Sequence, residues 1–167
     1  MRRPELTDAS AIHEMCAQQA VSRHTLRIPH PYPEGEAEKY IQRALEKIDS
    51  GAGITMVMVL DDAVIGTIAV SFDPEHGRAE LGYLVDPACW GRGLATEAVC
   101  CFAQWVIKER GVNRLGASVA PENPASGRVL EKAGFTREGH LRDHYRVRGE
   151  YVDSVIYSLL RRDIHTD

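Results

Sequence analysis

The sequence predicts a mixed α/β fold, a mostly antiparallel sheet with flanking helices and one strand–helix–strand crossover. Three observations point there. Stretches with apolar residues at helical spacing are interleaved with short β-rich runs. Three such runs between residues 54 and 85 are separated only by tight turns, the pattern of an antiparallel meander. The last of them is followed by a helix and then another strand, a crossover that pairs strands in parallel and opens a crevice where the parallel pair begins.

Element by element, Met1–Leu6 reads as the end of a first strand, and Thr7 or Asp8 caps a helix over about residues 8–21, with Ile12, Cys16 and Ala20 on one face. Ser22–Pro33 is a polar, His-rich loop whose length in a compact domain hints at function. A second helix runs from about Glu34 to Asp49 and ends at Ser50-Gly51. Ile54–Leu60 and Ala63–Phe72 form a hairpin across Asp61-Asp62, and the turn Asp73–Gly77 leads into Arg78–Val85, which Pro87 stops. A helix follows over Leu94–Glu109, striped by Ala95, Ala98, Val99, Phe102 and Val106 and closed by Gly111. Asn113–Ala120 is a strand and Ala125–Ala133 a short helix ended by Gly134. The tail from Phe135 alternates on both sides of Arg148-Gly149-Glu150, a final hairpin through about Leu160. No repeat, low-complexity segment or linker interrupts this order, so residues 1–167 read as one domain.

A chain of 167 residues buries roughly 70% of the surface its unfolded form exposes and needs no disulfide or metal staple. With 20 Lys+Arg against 24 Asp+Glu, its net charge of −4 excludes a protein whose main affinity for nucleic acid or anionic lipid comes from overall positive charge. Cysteines 16, 89, 100 and 101 have no C-x-x-C spacing and read as reduced core residues, with Trp105 also in or near the core. No apolar leader region and no run of ~20 apolar residues is present, so a cytoplasmic protein without membrane or nucleic-acid partners is expected.

The chemistry concentrates at Tyr83-Leu84-Val85-Asp86-Pro87-Ala88-Cys89-Trp90-Gly91-Arg92-Gly93-Leu94-Ala95-Thr96. A strand ends, a glycine-containing loop follows, and a helix begins whose first N–H groups have no intrahelical partner, a combination that favours an anion. Gly91 and Gly93 allow close approach of phosphate oxygens, Ala95 keeps the first turn small, and Arg92 and Thr96 offer a charge and a hydroxyl. A plain tight turn is the other reading of these glycines. A Walker loop requires a lysine that is absent here, and a dinucleotide fingerprint requires a third glycine where Thr96 stands.

The segment from about Arg78 to Arg137 resembles the GNAT superfamily of N-acetyltransferases, whose signature [Gln/Arg]-x-x-Gly-x-[Gly/Ala] is met by Gly93 and Ala95. Trp90 departs from its first position. Trp90–Ala98, then Pro121-Glu122-Asn123 with Ser126, then Leu130-Glu131-Lys132 with Gly134-Phe135, look specifically like the ribosomal-protein alanine N-acetyltransferase branch.

The resemblance implies acetyl-CoA as co-substrate, with its pyrophosphate on the amides of Gly91, Arg92, Gly93, Leu94, Ala95 and Thr96. It puts the pantetheine arm along Tyr83, Leu84 and Val85, where the Val85 amide polarises the thioester carbonyl and stabilises an oxyanion. Asn123 matches the family asparagine that bonds the cofactor near its acyl end, or it shapes the turn before Pro124. Ser126 matches the serine thought to protonate the leaving sulfur, or it is a helix-cap residue. Glu80 stands where some members carry a glutamate base, or it is an exposed strand residue. Nineteen residues after the serine the branch can carry a glutamate, and this chain has Tyr145; with Asp143 and His144 it lines the acceptor site or is solvated. His24 and His30, with Arg23, Arg27 and Tyr32, select substrate or belong to a polar surface loop. His140 and His144 are about 13 Å apart in a strand, too far to share a zinc ion, and no metal is expected.

The implied activity is direct acetyl transfer, without a covalent acyl-enzyme, to a primary amine on a protein N-terminus such as that of a ribosomal protein, or on a small molecule. An acyl-CoA sensor without efficient catalysis is the alternative. Homodimers are common among such proteins, which makes a second copy a candidate partner.

Overall fold

The structure, a computed structural model, describes residues 1–25 and 28–164. Its strands are β1 (Gly53–Leu60), β2 (Ala63–Asp73), β3 (Arg78–Val85), β4 (Arg114–Val119), β5 (Thr136–Val147) and β6 (Glu150–Leu160), in a sheet of order β1-β2-β3-β4-β6-β5. Neighbours are antiparallel except β3 and β4, which run parallel. The helices are α1 (Ala9–Ala17), α2 (Gln19–Arg23), α3 (Glu36–Asp49), α4 (Leu94–Glu109) and α5 (Pro124–Lys132). The mixed, mostly antiparallel sheet with its crossover through α4 is the predicted architecture.

Local chemistry explains the meander. Asp61 and Asp62 have φ of 48° and 64°, the left-handed values that a two-residue hairpin turn needs to match the twist of its strands. The sheet is covered on both faces. Ile68, Val70, Leu81 and Leu115 belong to one cluster with Val99, Phe102 and Val106 of α4, while Val57 and Leu84 pack with Ile12 and Cys16 of α1 and Ala37 and Ile41 of α3. Each such aliphatic side chain, fully buried, contributes roughly 1.5–3 kcal/mol.

The feature that positions the site is a seam. Parallel pairing of β3 with β4 extends over three partner pairs, Arg78↔Arg114, Ala79↔Leu115 and Glu80↔Gly116, and beyond them the strands diverge. On its other edge β3 stays paired with β2 through Val85. The Asp86 N–H donates to Ile65 O at 2.8 Å, so the alternation of the antiparallel ladder turns the main-chain groups of Gly82 and Leu84 toward β2 and those of Tyr83 and Val85 toward the open gap. Gly66 permits this close pairing, since a Cβ there would collide with the Leu84 carbonyl oxygen.

Several expectations are corrected. The first strand is a single bridge, Arg2 N–H to Val57 O at 3.1 Å and Val57 N–H to Arg2 O at 2.8 Å, because Pro4 has no N–H with which to extend a ladder. Asp8 does not cap the first helix with its side chain; its buried carboxylate accepts from Glu5 N–H at 2.8 Å and from both terminal nitrogens of Arg2 at 2.6 and 2.9 Å, which hold it below the usual carboxylate range. The helix expected over 8–21 is two helices, α1 and α2, separated by Gln18 in an extended conformation (ψ 125°), and both segments bury residues: Met15 and Cys16, then Val21 and Ser22. Of the four cysteines only Cys16 is buried. The inner stripe of α4 runs through Ala98, Val99, Phe102, Ala103 and Val106, which leaves Cys100 half-buried and Cys101 and Trp105 exposed.

A bidentate pair ties β4 to the edge strand β5. Arg114 Nη1 donates to Glu138 Oε1 at 2.9 Å and Nη2 to Oε2. With a further bond to Ser158, this lowers the Glu138 pKa from 4.5 to about 2. A carboxyl depressed in the folded state contributes stability above its ordinary pKa, and that contribution is lost as pH falls from about 4.5 to about 2. Glu138→Gln is therefore expected to lower Tm slightly at pH 7, the pair being partly solvent-screened, and the gap from wild type should close across that window. A gap that persists undiminished at pH 2 in thermal melts would contradict this.

Candidate active site

The loop before α4 is built to leave amides free. Asp86 accepts from Ala88 N–H at 2.9 Å and starts a tight turn over Pro87–Cys89. Gly91 and Gly93 then adopt φ of 74° and 82°, where a side chain is strained, and Gly93 is the N-cap of α4. A Cβ on either glycine would meet no atom within 4 Å, so the space beside the loop is open. The amides of Leu94, Ala95 and Thr96 open a 16-residue helix and have no intrahelical acceptor. Arg92 is exposed and Thr96 half-buried beside them. Unpaired amides at a helix start, with a guanidinium beside them, are the chemistry that suits an anion.

On the α4–α5 side of the seam, the Tyr83 hydroxyl lies 2.7 Å from Ser126 Oγ and donates to Ser126 O at 3.1 Å. Burial pushes the Tyr83 phenol up to about 12, so it stays protonated at neutral pH. Asn123 is the N-cap of α5: its Oδ1 accepts from Ser126 N–H at 3.1 Å and its Nδ2 donates to His24 O at 3.1 Å. The turn-shaping role of Asn123 is thus realised, and the Ser126 hydroxyl is not needed as a cap. Trp90, in the loop, donates from Nε1 to Val85 O at 2.7 Å and meets the His24 ring edge-on at 6.2 Å. It fastens the end of β3 to the loop.

The opposite side of the seam carries a second group. Ser118 on β4 donates to Glu80 Oε1 at 3.1 Å and accepts from the Tyr145 hydroxyl at 3.1 Å. His144 lies against Tyr145 with ring centroids 4.1 Å apart and planes tilted by 46°, and bonds the buried Ser154 at 2.6 Å, while His140 bonds Asp153 at 2.6 Å. Beside this group, between the sheet and α1, α3 and the intervening loop, lies a pocket of about 220 Å³ lined by Ile12, Cys16, Ile28, Tyr32, Tyr40, Thr67, Ala69, Gly82, Tyr83 and Leu84.

The predicted site residues therefore fall into three places: Gly91–Thr96 at the helix start, Tyr83, Val85, Asn123 and Ser126 on one side of the gap, and Glu80 and Tyr145 on the other. Leu84 keeps its main chain on β2 and turns its side chain into the pocket. Arg27 lies outside the described residues; His30 is exposed, and Arg23 is exposed at the end of α2. Sequence reasoning missed Ser118. It shares the face that Glu80 occupies because it lies two residues beyond Gly116, the β4 partner of Glu80, a register that the sequence does not mark.

Residues 1–136 match the family described as Acetyltransferase (GNAT) domain. The chain is 32% identical over 166 residues to an uncharacterized N-acetyltransferase p20 of Bacillus licheniformis, covering 98% of this chain and 93% of that protein. It is 30% identical over 83 residues to the ribosomal protein uS5 alanine N-acetyltransferase of Escherichia coli K12, which spans 50% of this chain and 43% of the relative. Among solved structures, RimL, a ribosomal L7/L12 alpha-N-protein acetyltransferase in complex with coenzyme A, superposes with a TM-score of 0.86 at 17% identity, covering 95% of this chain and 92% of that one.

Proposed function

The chain belongs to the GNAT acetyltransferase family, and on that premise we propose that it transfers the acetyl group of acetyl-CoA directly to a primary amine, on a protein N-terminus or a small molecule, in a ternary complex. One observation carries the reading: the β3–β4 pairing ends after Glu80, leaving the main-chain groups of Tyr83 and the N–H of Val85, whose carbonyl is held by Trp90, facing a gap that leads to the free amides of the Gly91–Thr96 loop. That combination fits a long donor with a diphosphate in its middle and a reactive acyl end at the seam. Bound there, acetyl-CoA supplies an activated thioester.

The residues of this chain supply the rest. Leu94, Ala95 and Thr96 amides and the Arg92 charge hold phosphate oxygens, and Gly91 and Gly93 let them come close. The Val85 amide faces the gap and is the donor suited to negative charge developing on a carbonyl oxygen there. Ser126, in contact with a phenol that stays neutral, holds a hydroxyl proton where a departing sulfur needs one. Across the gap, Glu80 with Ser118 and Tyr145 forms the polar group able to receive the proton of the attacking amine, directly or through water. The two proton tasks fall to opposite faces of the sheet, which keeps them from short-circuiting one another.

The test is a pair of measurements. Acetyl-CoA and CoA should raise the melting temperature while ATP and NAD do not; stabilisation by ATP or NAD instead would end this reading. Free thiol should be released from acetyl-CoA only when an amine is present. Binding without amine-dependent release would favour the acyl-CoA sensor, the reading supported by Tyr145 in place of a glutamate.

A further inference from the structure

We infer that the pocket between α1, α3 and the sheet receives the group next to the acceptor's amine, and that this group is apolar and uncharged, a branched aliphatic or an aromatic side chain. The inference rests on the acetyl transfer proposed above and narrows its substrate class. Position is the first argument. Gly82 and Leu84 line the pocket and share a strand face with Glu80, so an amine beside Glu80 has its substituent within about 7 Å of Gly82, the rise of two strand residues. An acceptor that brings its nitrogen to the seam from this side reaches the pocket with its next few atoms.

Chemistry is the second argument. The lining residues are aliphatic or carry neutral polar tips, with no carboxylate among the described ones. Burial raises the Cys16 thiol to about 11 and raises the phenols of Tyr32 and Tyr40, so all three stay neutral near pH 7. Glu36, at the start of α3, is already paired with Arg43 at 2.6 Å. The wall formed by the loop is held by a cation, since Arg148 Nη2 donates to Ser22 O at 3.1 Å and Ile28 O at 3.2 Å. A second ammonium group entering here would lose hydration and meet no carboxylate among the described lining residues.

Size is the third. An apolar cavity of about 150 Å³ holds a benzene ring, and this pocket measures about 220 Å³. It suits a leucine- or phenylalanine-sized group and leaves a glycine-like acceptor with unfilled space.

The experiment compares initial rates with acetyl-CoA for leucinamide, phenylalaninamide, glycinamide and spermidine. The expected kcat/KM for either apolar amide exceeds that for glycinamide and for spermidine by at least about tenfold, the discrimination a few methylenes supply in an apolar pocket. Ala69→Leu, which narrows the pocket from β2, should erase the preference over glycinamide while the melting shift produced by acetyl-CoA is retained. Spermidine as the best acceptor, equal rates for all amides, or an Ala69→Leu variant with the wild-type preference would overturn the inference and leave acetyl transfer standing. Absence of both a melting shift and thiol release would instead overturn the transfer reading, and this inference with it.

Discussion

Gly93→Asp is expected to weaken acetyl-CoA binding about a hundredfold, equivalent to about 2.7 kcal/mol. Two effects act together at this position. Gly93 sits at φ 82° as the N-cap of α4, so any side chain is strained there, by roughly 1–2 kcal/mol. The Asp carboxylate would also stand at the mouth of the amide cradle, where it competes for the donors and repels phosphate oxygens. Gly93→Ala separates the two, because it brings the same backbone strain without the charge, and a Cβ at this position meets no neighbour within 4 Å. Calorimetric titration of both variants should show the alanine losing far less affinity than the aspartate. Equal affinity for the wild type and Gly93→Asp would remove the diphosphate from this loop.

Ser126→Ala is expected to lower kcat about a hundredfold, the lower end of what positioned acid–base groups contribute, with acetyl-CoA affinity unchanged. The structure makes this substitution clean. The cap of α5 is the bond from Ser126 N–H to Asn123 Oδ1, which alanine retains, and the Tyr83 hydroxyl keeps its bond to the Ser126 carbonyl. Tyr83→Phe should produce a smaller fall in kcat of about tenfold, since it removes a partner of the serine and not the serine itself. Single-turnover rates and a binding titration check both variants. A loss confined to acetyl-CoA affinity, with kcat intact, would reduce Ser126 to a structural residue of the α5 turn.

How far the sequence announced this arrangement depends on the range of the signal. Arg78–Val85 and Leu94–Glu109 have the boundaries predicted, because proline, glycine and helical or alternating periodicity are local and strong there. The glycine loop was legible for the same reason. The break at Gln18 had no such mark, and Asp8, a good cap by residue type, was drawn instead to Arg2. The groups on either side of the seam were least legible. Tyr83 meets Ser126 across 43 residues of chain, Ser118 meets Glu80 across 38, and Asn123 meets His24 across 99. Only the tertiary fold brings these pairs together, and no spacing along the chain encodes them. Trp90 is a related case. It departs from the family signature, and its indole bond to Val85 O gives it a task the motif does not describe.

The three-rung seam also bears on how the molecule comes apart. With so little main-chain pairing between β3 and β4, the sheet is mechanically two ribbons, β1-β2-β3 and β4-β6-β5, joined by a short hinge of hydrogen bonds and by the helices laid across them. A ligand that paired its own amides with the main-chain groups of Tyr83 and with the Val85 N–H would act as an interposed strand. Through linkage, such a ligand, binding the folded state alone, would raise the melting temperature of the sheet it completes.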